Sequence, residues 1–320
     1  MKRSPLVWVI LLLIGLTLGL LIPNLVVSLN RRWYGVAPQV ELESYQVGRL
    51  LPDELDLVLK ELANQLEVAP QNAYYDLKGG RVIPETLGRR LAMAETKRLV
   101  LTAAEGEKVR AVLKPVYPEI THVYFQPVFR GDLTKQAMAL MINVAWGNEY
   151  IPGMLQVLRD ADVKVTFFFI GDWVERFPNL FQQIVAAEHE IANHGYWHGQ
   201  PRKMSIEEQQ RLITKAQEVM VTAGATPVKL FAPPAGEYDE RLLRTAATLG
   251  YRTILWTLDT VDWKRPASQI IYERVVGKAQ NGALVLMHPT EPTLQALPSI
   301  IKDLKVKGYE LLTVSQIIAP

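Results

Sequence analysis

The chain has 320 residues, which is long enough for two domains or for one large domain with an anchor. Apolar residues make up 49% of the chain, beside 20 glycines and 20 prolines, a composition typical of globular proteins and not of fibrous or disordered ones. A net charge of +2 without a basic stripe gives no case for nucleic-acid binding, and the absence of cysteine excludes disulfides and thiolate metal sites.

The first thirty residues predict a membrane anchor. Two basic residues precede an almost unbroken apolar run from Pro5 to about Ile22, which continues beyond a proline. About 20 apolar residues cross a bilayer, so residues 5–29 are long enough. No small-residue cleavage signature follows, which favours an uncleaved signal-anchor over a removed signal peptide. We therefore expect residues 1–30 to anchor the protein in the membrane, with the bulk of the chain extracytoplasmic.

Residues 38–128 predict a small α+β domain. Apolar residues between Leu51 and Leu66 recur at helical spacing, and Asp53 is available to cap that helix. Short segments with alternating strand-like and helix-like patterns follow.

Two segments of this region resemble a known module. The segment YDLKGGRVIPETLGRRL begins at Tyr75, and VLKPVYPEIT begins at Val112. Together they resemble a peptidoglycan-binding domain that accompanies vancomycin-resistance W-type and L,D-transpeptidase proteins. The resemblance implies that residues 38–128 contact the cell wall. The alternative is a structural spacer that lifts the second domain off the membrane.

From Gly131 to the end of the chain, seven apolar strand patterns alternate with helical patterns. This alternation predicts an α/β domain over residues 131–320, with a parallel sheet that is either a barrel or doubly wound. In both architectures the chemistry collects on the loops at the carboxyl ends of the strands. The predicted strands are 138–144, 164–170, 189–192, 229–232, 253–258, 283–287 and 310–313.

Histidines and aspartates concentrate at these strand ends. His194 and His198 follow the third strand, and a four-residue spacing on a helical turn would let two imidazoles hold one metal ion. Three of the five histidines and two aspartates fall at such ends, which favours a converging site over packing residues. The strand-end residues are 143–149, His194, His198, 232–237, Asp259, Asp262, Trp263 and His288.

Five of these segments, taken in chain order, resemble the polysaccharide deacetylase family, the NodB homology domain of carbohydrate esterase family 4. They are TFFFIG from Thr166, HGYWH from His194, FAPPAG from Phe231, LDTVDW from Leu258 and LMH ending at His288. The similarity covers about residues 138–313 and, through the segment NVAWGNEYI, is nearest to the sporulation-associated branch. It implies a distorted (β/α) barrel, usually of seven strands.

The resemblance also implies a reaction, the removal of acetyl groups from a glycan such as peptidoglycan or chitin with the help of a divalent metal, commonly zinc. In the family, one aspartate and two histidines hold the metal, and a second aspartate takes the proton of its water. Matched motif by motif, His194 and His198 are the metal ligands and His288 is the general acid. Asp262, or alternatively Asp259, is the carboxylate that tunes His288.

The first family motif is broken in this chain. Where the family has Thr-Phe-Asp-Asp-Gly, an alignment on Gly147 places Ala145 at the catalytic base and Trp146 at the metal aspartate. An alignment shifted by two residues places Asn143 and Val144 there instead, again without a carboxylate. The arginine that orients the base is replaced by Ala232. Loss of the arginine together with its aspartate is consistent, because an unpaired buried arginine is costly.

Two hypotheses about activity follow. The first is a hydrolase with a rebuilt site, in which Glu149, Glu237 or His288 completes the metal site and one of the two glutamates acts as base. The second is a degenerate domain that binds cell-wall glycan without hydrolysing it. The alternative for the aromatic residues is core packing. Outside both hypotheses stands a purely structural envelope protein, in which the histidines are core or hydrogen-bonding residues. The aromatic residues expected to contact sugar are Trp146, Tyr196, Trp197 and Trp263.

Overall fold

The structure is a computed structural model that describes residue 19 and residues 22–319. The chain divides into two compact units. Within the described range, one unit contains residues 22–72 and 85–118, and the other contains residues 73–84 and 119–319. The segment predicted as one small domain, 38–128, therefore contributes a hairpin and its last ten residues to the second unit.

The predicted membrane segment, residues 5–29, lies largely outside the described residues. Residues 22–34 form a helix (α1) whose side chains are mostly exposed. No helix in the described part of the chain is both long enough and apolar enough to span a bilayer.

The first unit has an α+β composition. Its helix α2 (Pro52–Leu66) buries Leu55, Leu59 and Leu62, which share one helical face. The carboxylate of Glu54, and not that of Asp53, accepts the backbone N–H of Leu51 (2.9 Å) at the start of this helix. In chain order, the elements before residue 130 are β1 (Glu41–Leu42), β2 (Tyr45–Gln46), α2 (Pro52–Leu66), β3 (Tyr74–Asp76), β4 (Arg81–Ile83), β5 (Gly88–Leu91), α3 (Met93–Thr102), β6 (Lys108–Val109), β7 (Leu113–Val116) and a 3-10 helix (His122–Phe125).

The two units hold different strands of this set. In the first unit β1 pairs with β2 and β6, and β5 pairs with β7. The hairpin β3–β4 belongs to the second unit, where Tyr75 and Val82 pack beside Phe125 and Ala247.

The second unit alternates strands with helices, as predicted. Its longer elements are β8 (Ala137–Val144), α4 (Ile151–Asp160), β9 (Thr166–Phe169), α5 (Gly171–Arg176), α6 (Pro178–Ala186), β10 (Glu190–Asn193), α7 (Ile206–Thr222), β11 (Leu230–Phe231), α8 (Glu240–Thr248), β12 (Arg252–Thr253), β13 (Leu258–Asp259), α9 (Ser268–Val276), β14 (Ala283–Met287), α10 (Glu291–Val306), β15 (Glu310–Leu312) and α11 (Val314–Ile318). Short 3-10 helices lie at Asn148–Tyr150, Pro201–Lys203, Pro234–Gly236 and Asp262–Lys264.

One parallel sheet organises this unit. Its strand order is β12-β11-β10-β9-β8-β14-β13, with β15 paired to the first half of β8. The predicted parallel α/β sheet is therefore confirmed.

The segment predicted as a single strand at 253–258 is divided in the structure. Its first part pairs with β11 and its second part with β14, so the strands β12 and β13 are the two ends of a curled half-barrel. Between them the backbone passes from one partner to the other: Leu255 donates to the carbonyl of Val128 (2.8 Å), outside both strands, and Thr257 already donates to that of Leu284 in β14 (2.9 Å).

The two faces of the sheet are distinguished by the alternation along β8. Met138, Leu140 and Ile142 pack in the larger apolar cluster with the surrounding helices. Ala139 and Met141 pack in a smaller cluster on the other face. Asn143 continues this second series, and the carboxyl ends of β8, β10, β13 and β14 bring their following loops to one edge.

Candidate functional site

A cavity of about 420 Å³ opens among the loops that follow these strands. It lies where an α/β sheet is expected to bind its ligand, at the carboxyl ends of the strands. The residues that line it are Asn143, Trp146, His194, His198, Ala235, Gly236, Trp256, Asp259, Trp263, Leu286 and His288.

His194 follows β10 directly in the chain. It is the most deeply buried polar residue of the lining, with only 2% of its surface exposed. Its Nδ1 donates to the carbonyl oxygen of Ala232 at 2.7 Å, and since a carbonyl only accepts, Nε2 retains the lone pair. Burial lowers the pKa of His194 to about 3, so the imidazole is neutral at physiological pH.

His198 reaches the same cavity, with its ring centroid 5.6 Å from that of His194 and the planes at 73°. Partial burial of the ring lowers the pKa of His198 below its ordinary value. The segment 194–198 is a loop and not a helical turn. Gly195, at φ +90°, turns the chain there, and Tyr196 donates its N–H to the carbonyl of Leu212 (2.8 Å). The predicted pair is brought together by this turn.

His288 is fixed by a buried carboxylate. Asp262 is completely buried and accepts the backbone N–H of His288 (2.6 Å), the Nδ1–H of the same residue (2.7 Å) and the hydroxyl of Thr293 (2.7 Å). The structure therefore pairs His288 with Asp262. The alternative partner, Asp259, lines the cavity and accepts the N–H of Val261 instead (2.8 Å).

Trp146 occupies the wall beside His288. Its ring stacks on the imidazole with centroids 5.7 Å apart and planes at 9°. The neighbouring Gly147 has φ +85°, and a side chain there would overlap the carbonyl of Pro289. Close approach of these two backbone segments holds the indole against the imidazole.

The side chains present do not fit a catalytic zinc ion. Such a site usually has three protein ligands, and a zinc ligand must be an imidazole, a carboxylate or a thiolate. Within the described range, no group of three or more histidine, aspartate or glutamate residues is placed to hold a metal ion. His194 and His198 form the predicted pair. Neither Trp146 nor Val144, the residues that the two alignments of the first motif place at the family's metal aspartate, has a metal-binding atom.

Four residues predicted for the site do not line the cavity. Glu149 is exposed on the 3-10 helix beyond Gly147, and Glu237 is half-buried beyond Gly236. The Tyr196 hydroxyl donates to Glu175 (2.6 Å), and the Lys215 ammonium lies 3.6 Å from the centroid of the Tyr196 ring. Trp197 is 37% exposed beside Tyr196, away from the lining.

The structure adds Trp256 and Thr293 to the predicted residues, and it places Asn143, from the strand-end segment 143–149, in the cavity lining. Trp256 lines the cavity and lies within contact distance of Gly236. Asn143 is 3% exposed, and its Oδ1 has no hydrogen-bond partner. Thr293 completes the set of donors around Asp262. Period-two alternation along β8 is the sequence signal that could have placed Asn143 on the cavity face.

A parallel half-barrel with histidine-bearing loops at its carboxyl edge defines a polysaccharide deacetylase domain, and the chain belongs to that family. The sequence profile of the polysaccharide deacetylase family matches residues 130–254. The predicted family is thereby confirmed.

Particular relatives extend the similarity over most of the chain. The protein YlxY of Bacillus subtilis, described as uncharacterized, is 36% identical over 268 residues, or 83% of each chain. A peptidoglycan-N-acetylglucosamine deacetylase of Bacillus cereus is 33% identical over 190 residues, which covers 58% of this chain and 69% of that protein.

Among solved structures, BA3943 of Bacillus anthracis is described as a pseudoenzyme of the CE4 family. It matches with a TM-score of 0.61 and 34% identity, over 83% of this chain and 95% of that one. A mutant of the same protein, described as having restored enzymatic activity, matches with the same TM-score.

Proposed function

We propose that this chain is a polysaccharide deacetylase-family protein that binds cell-wall glycan without hydrolysing its acetyl groups. One observation carries the proposal: the ring of Trp146, which the alignment on Gly147 places at the family's metal-ligand position, stacks on His288. Beside the pair His194 and His198, no third side chain among the described residues is placed to complete a metal site. Ala145, at the position of the base, has no group that accepts a proton.

The lining of the cavity supports binding of a sugar. Three indole rings line it, those of Trp146, Trp256 and Trp263. Of these, Trp146 is 39% exposed and Trp263 is 54% exposed, so the rings are not consumed by core packing. Large, rigid aromatic faces with a few fixed polar groups are the usual composition of a small-ligand site.

The descriptions of the relatives support one class of glycan. Proteins of similar sequence are described as peptidoglycan deacetylases, and a structural neighbour is described as a pseudoenzyme. Peptidoglycan is therefore the polymer that we propose for this chain. The pseudoenzyme neighbour supports loss of hydrolysis within this fold.

A second candidate, hydrolysis by a rebuilt site, is favoured by one observation. The pair of His288 and Asp262 is intact, with the three hydrogen bonds to the carboxylate described above. An intact general acid is of use only if another group activates water, and the cavity lining offers Asp259 alone as a carboxylate among the described residues.

Retention on purified peptidoglycan, measured together with acetate release, distinguishes the two candidates. We expect the full-length protein to be retained and no acetate to be released. Trp263→Ala should weaken retention, since it removes an exposed ring from the lining. Trp33→Ala, which removes a 75% exposed tryptophan from the first unit, is the matched control. No retention of the wild type would refute glycan binding, and acetate release that His288→Ala abolishes would establish the hydrolase.

We also propose a location and a role for the remainder of the chain. Residues 5–29 would anchor the protein in the membrane, with residues 38–128 as a peptidoglycan-binding segment on the extracytoplasmic side. The apolar run and the resemblance of the segment from Tyr75 support this arrangement. In fractionated cells the protein should sediment with membranes and should be released by deletion of residues 1–30. Recovery of the full chain in the soluble fraction would refute the anchor.

A further inference from the structure

We infer that the cavity recognises an amino sugar whose amino group is free and protonated, and prefers this deacetylated sugar to its N-acetylated counterpart. The inference rests on the proposed function, glycan binding at this cavity, and adds the chemical state of the sugar. It is carried by the hydrogen-bonding character and the charge of the groups that face the ligand.

The first of these groups is the side chain of Asn143. It lies at the end of β8 on the cavity face, is 3% exposed, and its Oδ1 has no hydrogen-bond partner. A buried carbonyl oxygen without a donor is unfavourable, so it is normally satisfied by a ligand or by water. Asn143 therefore provides a hydrogen-bond acceptor that no other protein group uses.

Two further acceptors belong to the same lining. The carboxylate of Asp259 uses one oxygen to accept the N–H of Val261 (2.8 Å), which leaves its second oxygen for a ligand. Val261 itself has a left-handed backbone conformation (φ 52°), an unusual one for a β-branched residue, and this conformation brings its N–H to the carboxylate. His194 donates through Nδ1 to Ala232, so its Nε2 is an acceptor as well.

Among the described residues, the one side chain of the lining with a full charge is negative. Asp259 is a carboxylate, and no lysine or arginine belongs to the lining. Two cations contact the same loop from outside the lining: Lys264, 4.9 Å from the centroid of the Trp263 ring, and Arg274, which donates to the carbonyl of Thr260 (2.6 Å). The remaining titratable groups are His198 and His288, and the Nδ1–H of His288 already donates to the buried Asp262.

A protonated amine matches this set better than an acetamido group does. An ammonium group offers three N–H donors and a positive charge, and needs no donor in return. An acetamido group offers one N–H and a carbonyl oxygen that itself requires a donor. The indole rings of Trp146 and Trp256 add to the preference, because aromatic faces attract cations, whereas the Trp263 ring already has the Lys264 ammonium beside it. The cavity therefore suits the product of a deacetylase better than its substrate.

The test compares two tetrasaccharides that differ only in acetylation. The full-length protein would be titrated with the tetramers of glucosamine and of N-acetylglucosamine, with binding measured by calorimetry. We expect the free-amine tetramer to bind about tenfold more tightly, as a charge-assisted hydrogen bond in place of a neutral one would give.

Asp259→Asn tests the origin of this preference. An asparagine oxygen can still accept the N–H of Val261, so the loop is retained while the charge is removed. We expect the ratio of the two affinities to fall towards one. Asp160→Asn, which removes an exposed carboxylate from α4, should leave the ratio unchanged. Thermal unfolding of each variant confirms that the fold is preserved.

Each outcome is decisive. If both tetramers bind and the acetylated one binds equally well or better, the inference is overturned while glycan binding stands. A preference for the amine that survives Asp259→Asn overturns the role of the carboxylate. If neither tetramer binds and peptidoglycan does not retain the protein, the proposed function itself fails.

Discussion

Replacement of Asp262 by alanine should destabilise the second unit strongly. The carboxylate is fully buried and accepts three hydrogen bonds at 2.6–2.7 Å, from the backbone N–H of His288, from its Nδ1–H and from the hydroxyl of Thr293. The backbone N–H would be left buried without an acceptor, which costs about 1–3 kcal/mol. Thr293 retains Thr290 as a partner (2.8 Å), and the imidazole is 17% exposed and reaches water. These two lost bonds cost about 1 kcal/mol each, so the total loss is about 3–5 kcal/mol.

Urea denaturation measures this loss. The transition of the second unit should be followed by far-UV circular dichroism and tryptophan fluorescence, with the two units analysed separately. Asp262→Asn keeps one acceptor oxygen and should lose about 1–3 kcal/mol. Asp303→Ala removes a carboxylate with a single hydrogen bond, from the hydroxyl of Tyr272 (2.7 Å), and should lose only about 1 kcal/mol. A loss below about 1 kcal/mol for Asp262→Ala would refute the assigned hydrogen bonds.

Three further predictions concern other parts of the structure. Trp146→Asp adds a carboxylate to the cavity lining that also holds His194 and His198. Calorimetric titration should show zinc binding at least about tenfold tighter than in wild type. Trp263→Asp, at another lining position, should not show this gain. Gly147→Ala should destabilise by about 3 kcal/mol or more, because it combines a left-handed backbone with overlap of the Pro289 carbonyl. Gly106→Ala, at φ +76° with open space around it, should cost only about 1–2 kcal/mol, and equal losses would exclude the overlap. Burial lowers the pKa of His189 to about 4, so this residue stays neutral in the folded chain while the unfolded chain takes up a proton as the pH falls below about 6.5. The contribution of the neutral His189 to stability is complete above that pH and is lost as the pH falls towards 4. The loss of stability has reached about 2 kcal/mol at pH 5. Chemical denaturation of His189→Gln should show a correspondingly weaker loss between pH 7 and pH 5, and an unchanged pH dependence would contradict the assignment.

The sequence predicted the elements that local pattern determines. Long apolar runs such as β8 and β14 lie where expected, because a strand buried on both faces needs continuous apolar residues. The residues at their ends follow from the topology of a parallel sheet, which explains why His194, His198 and His288 were correctly placed near one another.

Features that depend on tertiary contacts were not predicted. The segment 253–258 has strand-like residues throughout, but its two ends pair with β11 and β14, and between them Leu255 donates to the carbonyl of Val128. The loop that carries His194 and His198 is shaped by the left-handed Gly195, which spacing alone does not reveal. Glu149 and Glu237 are near the site in sequence, yet the turns at Gly147 and Gly236 take them away from the cavity lining.

For Trp146, too, the sequence predicted the residue but not its contact. One of two alignments placed it at the metal aspartate, and both alignments left that position without a carboxylate. The stack on His288 could not be derived, because it depends on the approach of Gly147 to Pro289. The stack on His288 shows that the Trp146 indole forms a wall of the cavity and is not buried in the core.

The measurement that tests the central claim most directly is a single incubation of the full-length protein with purified, acetylated peptidoglycan. Bound protein and released acetate would be determined in the same sample, with zinc supplied. We predict retention of the protein with acetate release no greater than in a sample without protein. Acetate release that depends on His288 would contradict the account and would establish a rebuilt hydrolytic site.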